Sequence, residues 1–116
     1  MRHTESHTQQ ECVRWFRLAY HQYADLLFAV PNGGRRDAKT GALMKAEGAL
    51  AGVADLLLLV PNSQYHALCI EMKAVKGVQR LTQKVWQQSV EKQGYKYVLC
   101  RSFDEFKLAI IDYIGQ

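Results

Sequence analysis

The sequence is notable first for what it lacks. Its three cysteines, Cys12, Cys69 and Cys100, are odd in number and far apart, with no CxxC pair. That argues against both a zinc site and a disulfide framework, and reduced thiols in a cytoplasmic protein are the expectation. No apolar run approaches the length of a membrane span, and the opening MRHTESHTQQ carries no signal-peptide core. His3, His7, His21 and His66 have no ligand spacing; His3 and His7 stand four apart, but at a terminus expected to fray. All four are read as non-catalytic. There is no internal repeat, linker or low-complexity tract.

What remains is an ordinary folded composition, 48% hydrophobic and 22% charged over 116 residues, consistent with one domain spanning 1–116. The net charge of +4 permits a polyanionic partner without requiring one. The placement of the basic groups is more telling. Arg35, Arg36, Lys39 and Lys45 cluster just after the turn-forming run PNGG. Such a loop suits the backbone of a nucleic acid, and a solvated turn is the plainer alternative.

Helical spacing of Cys12, Val13, Phe16, Ala19, Tyr20 and Tyr23 predicts a first helix over about 4–26, with Arg14 and Arg17 outward. Glu11, Trp15 and Leu18 form a second row, which turns Glu11 partly inward. MKAEGALAG reads as a short helical piece ending near Gly48 or Gly52. ADLLLLV and YHALCIEMKA, joined by PNSQ, read as an antiparallel hairpin. A helix over 78–93 with Leu81, Val85, Trp86 and Ser89 inward follows, closed by Gly94. YKYVLCR is a further strand. FDEFKLAIIDYI is a last helix, capped by Ser102, with Phe106, Ile110 and Ile114 on one side and Leu108 and Ile111 on another. The fold class that follows is α/β: a mixed sheet of three or four strands with helices on both faces.

Chemistry enters at HALCIEMKAV, where an apolar strand ends in Glu71, Met72 and Lys73. Side chains alternate along a strand, so Glu71 and Lys73 share a face. With the hairpin centred near Ser63, Asp55 lies eight residues before the turn and Glu71 eight after. Equidistant residues of an antiparallel pair lie roughly 5 Å apart at Cα. Two carboxylates that close repel unless a positive group lies between them, and a divalent cation with oxygen ligands bridges them better than one lysine. Magnesium would acidify a retained water; Lys73 could hold or deprotonate that water, or stabilise charge on a phosphate. The set suits metal-assisted hydrolysis of a phosphodiester. A surface ion pair at a strand end is the plainer reading of Glu71 and Lys73.

These residues resemble a known family. GVADL and IEMK are similar to the Asp…Glu-x-Lys pattern of the PD-(D/E)XK nuclease superfamily. With PNGGRR before them and LTQKVWQQSVEKQGYKYVLCRSFDE after, the chain resembles a stand-alone VRR-NUC domain, the virus-type replication-repair nuclease. The resemblance implies a restriction-endonuclease-like αβββαβ core. It implies Asp55 and Glu71 as metal-binding acids, the Met72 carbonyl as a further ligand and Lys73 as the catalytic lysine. It also implies Gln83 as the glutamine of the next helix and Glu11 as the supporting acid of the first. Ala54 departs from the pattern, which often has proline before the aspartate. Magnesium or manganese is the implied cofactor and branched DNA the implied substrate. A Holliday-junction resolvase acting as a homodimer is the implied activity. A flap, duplex-repair or restriction-type nuclease, or a branched-DNA-binding module without catalysis, are the alternatives.

Overall fold

The structure, a computed structural model, describes residues 3–31 and 37–116, apart from the side chains of residues 3 and 4. Helix α1 (His3–Ala19) buries Cys12 and Phe16 and half-buries Val13, with Tyr20 half-buried just past its end, while Arg14 and Arg17 stay outward. It is shorter than its apolar spacing predicts, and Ala19 is exposed. The chain tightens instead into a 3-10 helix, His21–Leu26. Arg17 holds that turn by donating to the carbonyls of Ala24 (3.2 Å) and Leu27 (3.0 Å), which gives carbonyls outside the α-helix a partner.

Four strands form one mixed sheet: β1 (Leu27–Ala29), β2 (Leu56–Leu58), β3 (Leu68–Met72) and β4 (Lys96–Cys100), side by side in that order. The first two pairings are antiparallel and the third is parallel. Leu56 faces Ile70, Leu57 faces Cys69 and Leu58 faces Leu68, each pair equidistant from Ser63 as the hairpin arithmetic requires. The Asn62 side chain fixes the turn. Its Oδ1 accepts from the amides of Gln64 (2.9 Å) and Tyr65 (2.7 Å), and its amide donates to the Tyr113 carbonyl (2.9 Å).

Helix α2 (Ala38–Ala46) lies between β1 and β2 in sequence. It begins earlier than expected because Asp37 caps it, accepting from the Thr40 amide at 2.7 Å, and it ends before Gly48 at φ +110°. Helix α3 (Leu81–Lys92) provides the crossover that the parallel pair β3–β4 needs. Helix α4 (Phe103–Ile114) is capped by Ser102, whose hydroxyl accepts from the Glu105 amide (3.1 Å).

Helices α1 and α4 cover one face of the sheet, where Phe16, Phe106 and Ile110 meet Leu56, Leu58, Leu68 and Ile70. Helix α3 covers the other, where Trp86 and Val90 meet Ala54, Cys69 and Tyr97. This is the α/β restriction-endonuclease-like core expected from the sequence. The inward face of α3 differs from expectation. Leu81 and Val85 are 76% and 55% exposed and Ser89 is exposed, while the inward row is Gln83, Trp86 and Val90. A polar residue owns the first inward position, so an apolar stripe misplaces the face. Among the described residues no helix is long and apolar enough to cross a membrane.

Candidate active site

One step past the Leu56–Ile70 pair, the same register sets Asp55 against Glu71. The Asp55 carbonyl accepts from the Val30 amide (2.8 Å), which extends the β1–β2 ladder and fixes the backbone there. Asp55 Oδ2 accepts from the Met72 amide (2.8 Å), so β3 itself orients that carboxylate. Glu71 points to the α3 side of the sheet with only 2% of its surface exposed. Its Oε2 accepts from Gln83 Nε2 at 2.8 Å and lies 3.7 Å from Lys73 Nζ. Gln83 is held in turn, because its Oε1 accepts from the Arg80 amide at 2.8 Å at the start of α3. Lys73 leaves the sheet through a turn that Arg101 clamps, donating to the carbonyls of Ala74 (2.9 Å) and Gly77.

These groups open into a cleft of about 410 Å³ bounded by the ends of β1 and β3, the 51–53 segment and the first turns of α1 and α3. The 51–53 segment approaches α3 so closely that only glycine fits at position 52. Gly52 has φ +93°, and a Cβ there would run into the Thr82 carbonyl.

Burial and the neighbouring Asp55 push the Glu71 carboxyl up to about 7. Burial also raises Asp55, against the lowering effects of the Met72 amide and Lys73. Glu71 Oε1 is buried and no donor among the described residues reaches it; the two carboxyls lie within hydrogen-bond reach of each other, so a protonated Glu71 can donate to Asp55. Two crowded, partly desolvated carboxyls with a free oxygen fit a hard divalent cation, which would relieve both the repulsion and the orphaned atom. Among the described residues, no three His, Cys, Asp or Glu side chains gather as a complete ligand cage.

A model of the VRR-NUC domain matches residues 1–104. The chain belongs to the VRR-NUC family. A solved structure described as a VRR_NUC domain protein superposes on this chain with a TM-score of 0.85 and 24% identity. The match covers 99% of this chain and 91% of that one, and it shows a shared fold. No curated protein matches the chain. VRR-NUC is a nuclease domain of the PD-(D/E)XK type, which implies DNA as substrate.

Within this VRR-NUC fold, Asp55, Glu71, Met72, Lys73 and Gln83 all line the one cleft. Glu11 does not. It is exposed and absent from the cleft lining. The α1 acid at the site is Glu5, whose Oε1 accepts from the Ala74 amide (3.2 Å) and whose charge helps raise Asp55. Glu11 stands six positions after Glu5, about 9 Å farther along the helix, which carries it past the sheet end. The sequence reading also missed Gln9 and Arg80, both of which line the cleft. A signal existed for Gln9, which lies at i+4 from Glu5 and three before Cys12, on the inward side of α1. Lys39 and Lys45 are exposed on α2. Arg35 and Arg36 fall outside the described residues.

Proposed function

We propose that residues 1–116 act as a divalent-cation-dependent, structure-selective DNA endonuclease that resolves four-way junctions as a homodimer. The observation that carries this reading is the pairing of Asp55 with a buried Glu71 whose Oε1 is free, beside Lys73, in an open cleft. Asp55, Glu71 and the Met72 carbonyl would hold Mg²⁺ or Mn²⁺. When bound, the ion supplies charge neutralisation for a phosphate and a more acidic water. The chain's own residues do the rest. Gln83 and Lys73 engage Glu71 Oε2 and so leave Oε1 for the ion. Lys73, tethered through the Arg101-clamped turn, orients or deprotonates the attacking water, or meets charge growing on the phosphate. Arg80, at the cleft rim, adds a second cation toward the scissile group.

Lys39 and Lys45 on α2, with Arg35 and Arg36 just before it in sequence, would track the DNA backbone. Two cuts across a symmetric junction call for two sites, and a two-fold dimer supplies them. Leu108 and Ile111, exposed on α4 at 67% and 48%, offer an apolar surface for that contact. Three free, buried cysteines suit a reducing cytoplasm.

The test is cleavage of labelled four-way junction, flap and linear duplex, with Mg²⁺, Mn²⁺ or chelator. The expected result is paired nicks in the junction only when a cation is present. Lys73→Ala should cut about 10²–10⁴-fold more slowly while gel-shift affinity for the junction holds. No cleavage of any substrate removes the enzyme. Preference for flap or duplex redirects the reading to a repair or restriction nuclease. Junction binding that ignores both chelator and Lys73→Ala, without cutting, leaves a binding module.

A further inference from the structure

Two buried side-chain oxygens have no hydrogen-bond partner among the described residues: Glu71 Oε1 and Gln9 Oε1. Both residues line the same cleft, although they come from β3 and α1, on opposite faces of the sheet. Gln9 sits one helical turn after Glu5, which also lines the cleft. Gln9 as a residue is half-buried, but its Oε1 is fully covered, and Cys12, next on the same inward side of α1, is fixed in the core.

A buried carbonyl oxygen without a donor is unfavourable, and few native side chains tolerate it. The other polar groups lining the cleft, Arg80 at its rim apart, bear on what can satisfy it. Glu5, Asp55 and Glu71 are acceptors when ionised, and Lys73 is drawn to Glu71. An acceptor set among acceptors is stabilised only by a donor or a cation placed between them. A hydrated divalent ion presents both, since its coordinated waters point their hydrogens outward.

We infer that Gln9 is a positioning residue for the cation site: its side-chain carbonyl accepts from water in the coordination sphere of the divalent ion held by Asp55 and Glu71. This rests on the cation-dependent reading above. Side chains at this remove do not touch the ion, yet they fix its ligands and typically tune affinity by about 10–100-fold.

The experiment measures Mg²⁺ and Mn²⁺ affinity by isothermal titration, and cation-induced melting shift, for wild type, Asp55→Asn, Gln9→Met, Gln9→Glu and Gln10→Met. The cation concentration for half-maximal junction cleavage is read beside them. Gln9→Met keeps the shape and removes the acceptor; about 10-fold weaker cation binding is expected. Gln9→Glu keeps an acceptor and should bind the ion at least as tightly as wild type. Gln10→Met, on the exposed neighbour, should match wild type. A folded Gln9→Met with wild-type affinity overturns the inference alone. So does Gln9→Glu weakened as much as Gln9→Met, since the amide N–H would then be the group that matters. Should Gln9→Met fail to fold, the Gln9→Glu result decides. If wild type and Asp55→Asn respond equally to cation, the cation site itself falls, and this inference with it.

Discussion

Glu71 concentrates the chemistry of the molecule in one carboxyl. It is buried, faces a second acid, and still has one oxygen unclaimed. Its ordinary pKa of 4.5 rises to about 7 on folding. Between those values the native state holds a proton that the unfolded chain has lost, so ∂ΔG/∂pH is negative. The stabilisation is full below about 4.5 and disappears as pH rises through about 7. In chelator, the melting temperature should therefore fall from about pH 5 to pH 7.5. Added Mg²⁺ should raise it more at the upper pH, because the ion prefers the ionised pair. Glu71→Gln should flatten both trends in a thermal melt series, and an unchanged slope would place the titrating group elsewhere. The Asp55–Glu71 pairing was legible in the sequence because antiparallel pairing is arithmetic about a turn, and Ser63 marks that turn. Glu5 was not, because a helix pattern gives the side of a residue but not how far along the axis the sheet end lies.

Among the elements, α3 carries the most consequence. Its first turn delivers Gln83 to Glu71 and packs against Gly52. Gly52→Ala puts a Cβ against the Thr82 carbonyl and strains a backbone at φ +93°. A loss of about 1–3 kcal/mol is expected, read as a shift in urea midpoint. Because α3 must retreat, cleavage should fall further than the stability loss explains. Full activity in a destabilised variant would mean that Gln83 does not depend on this contact. The buried face of α3 was misread because apolar spacing favoured Leu81 and Val85. The fold gives the first inward position to a glutamine, since a polar partner waits at Glu71 and not in the core. The hairpin and α4 were readable for the opposite reason: Asn62 and Ser102 do locally what such residues do in any turn or cap.

Across the whole molecule, acids and cations divide the cleft, while Lys39 and Lys45 lie exposed on α2. Replacing both lysines by alanine should weaken junction and duplex binding alike and lower the salt dependence of affinity by about one to two counterions, as measured by fluorescence anisotropy across a salt series. Assembly is the other whole-molecule property. Leu108→Glu with Ile111→Glu changes only exposed positions, so folding should stay within about 0.5 kcal/mol of wild type. Sedimentation should then report a monomer, and paired nicking should become single nicking. A dimer that survives both changes would have to use another face. Neither property was readable beyond its charges and its apolar excess, because a single chain does not name its partners.

Strand β3 is buried at all five positions and flanked by a neighbour on each side. The Glu71 carboxylate therefore rides on the segment that opens last. Deuterium should enter the Met72 amide, which is bonded to Asp55, only when the entire protein opens. Loss of the Asp55–Glu71 cleft and melting should accordingly coincide on heating, with no partly folded species that keeps its shape without that cleft.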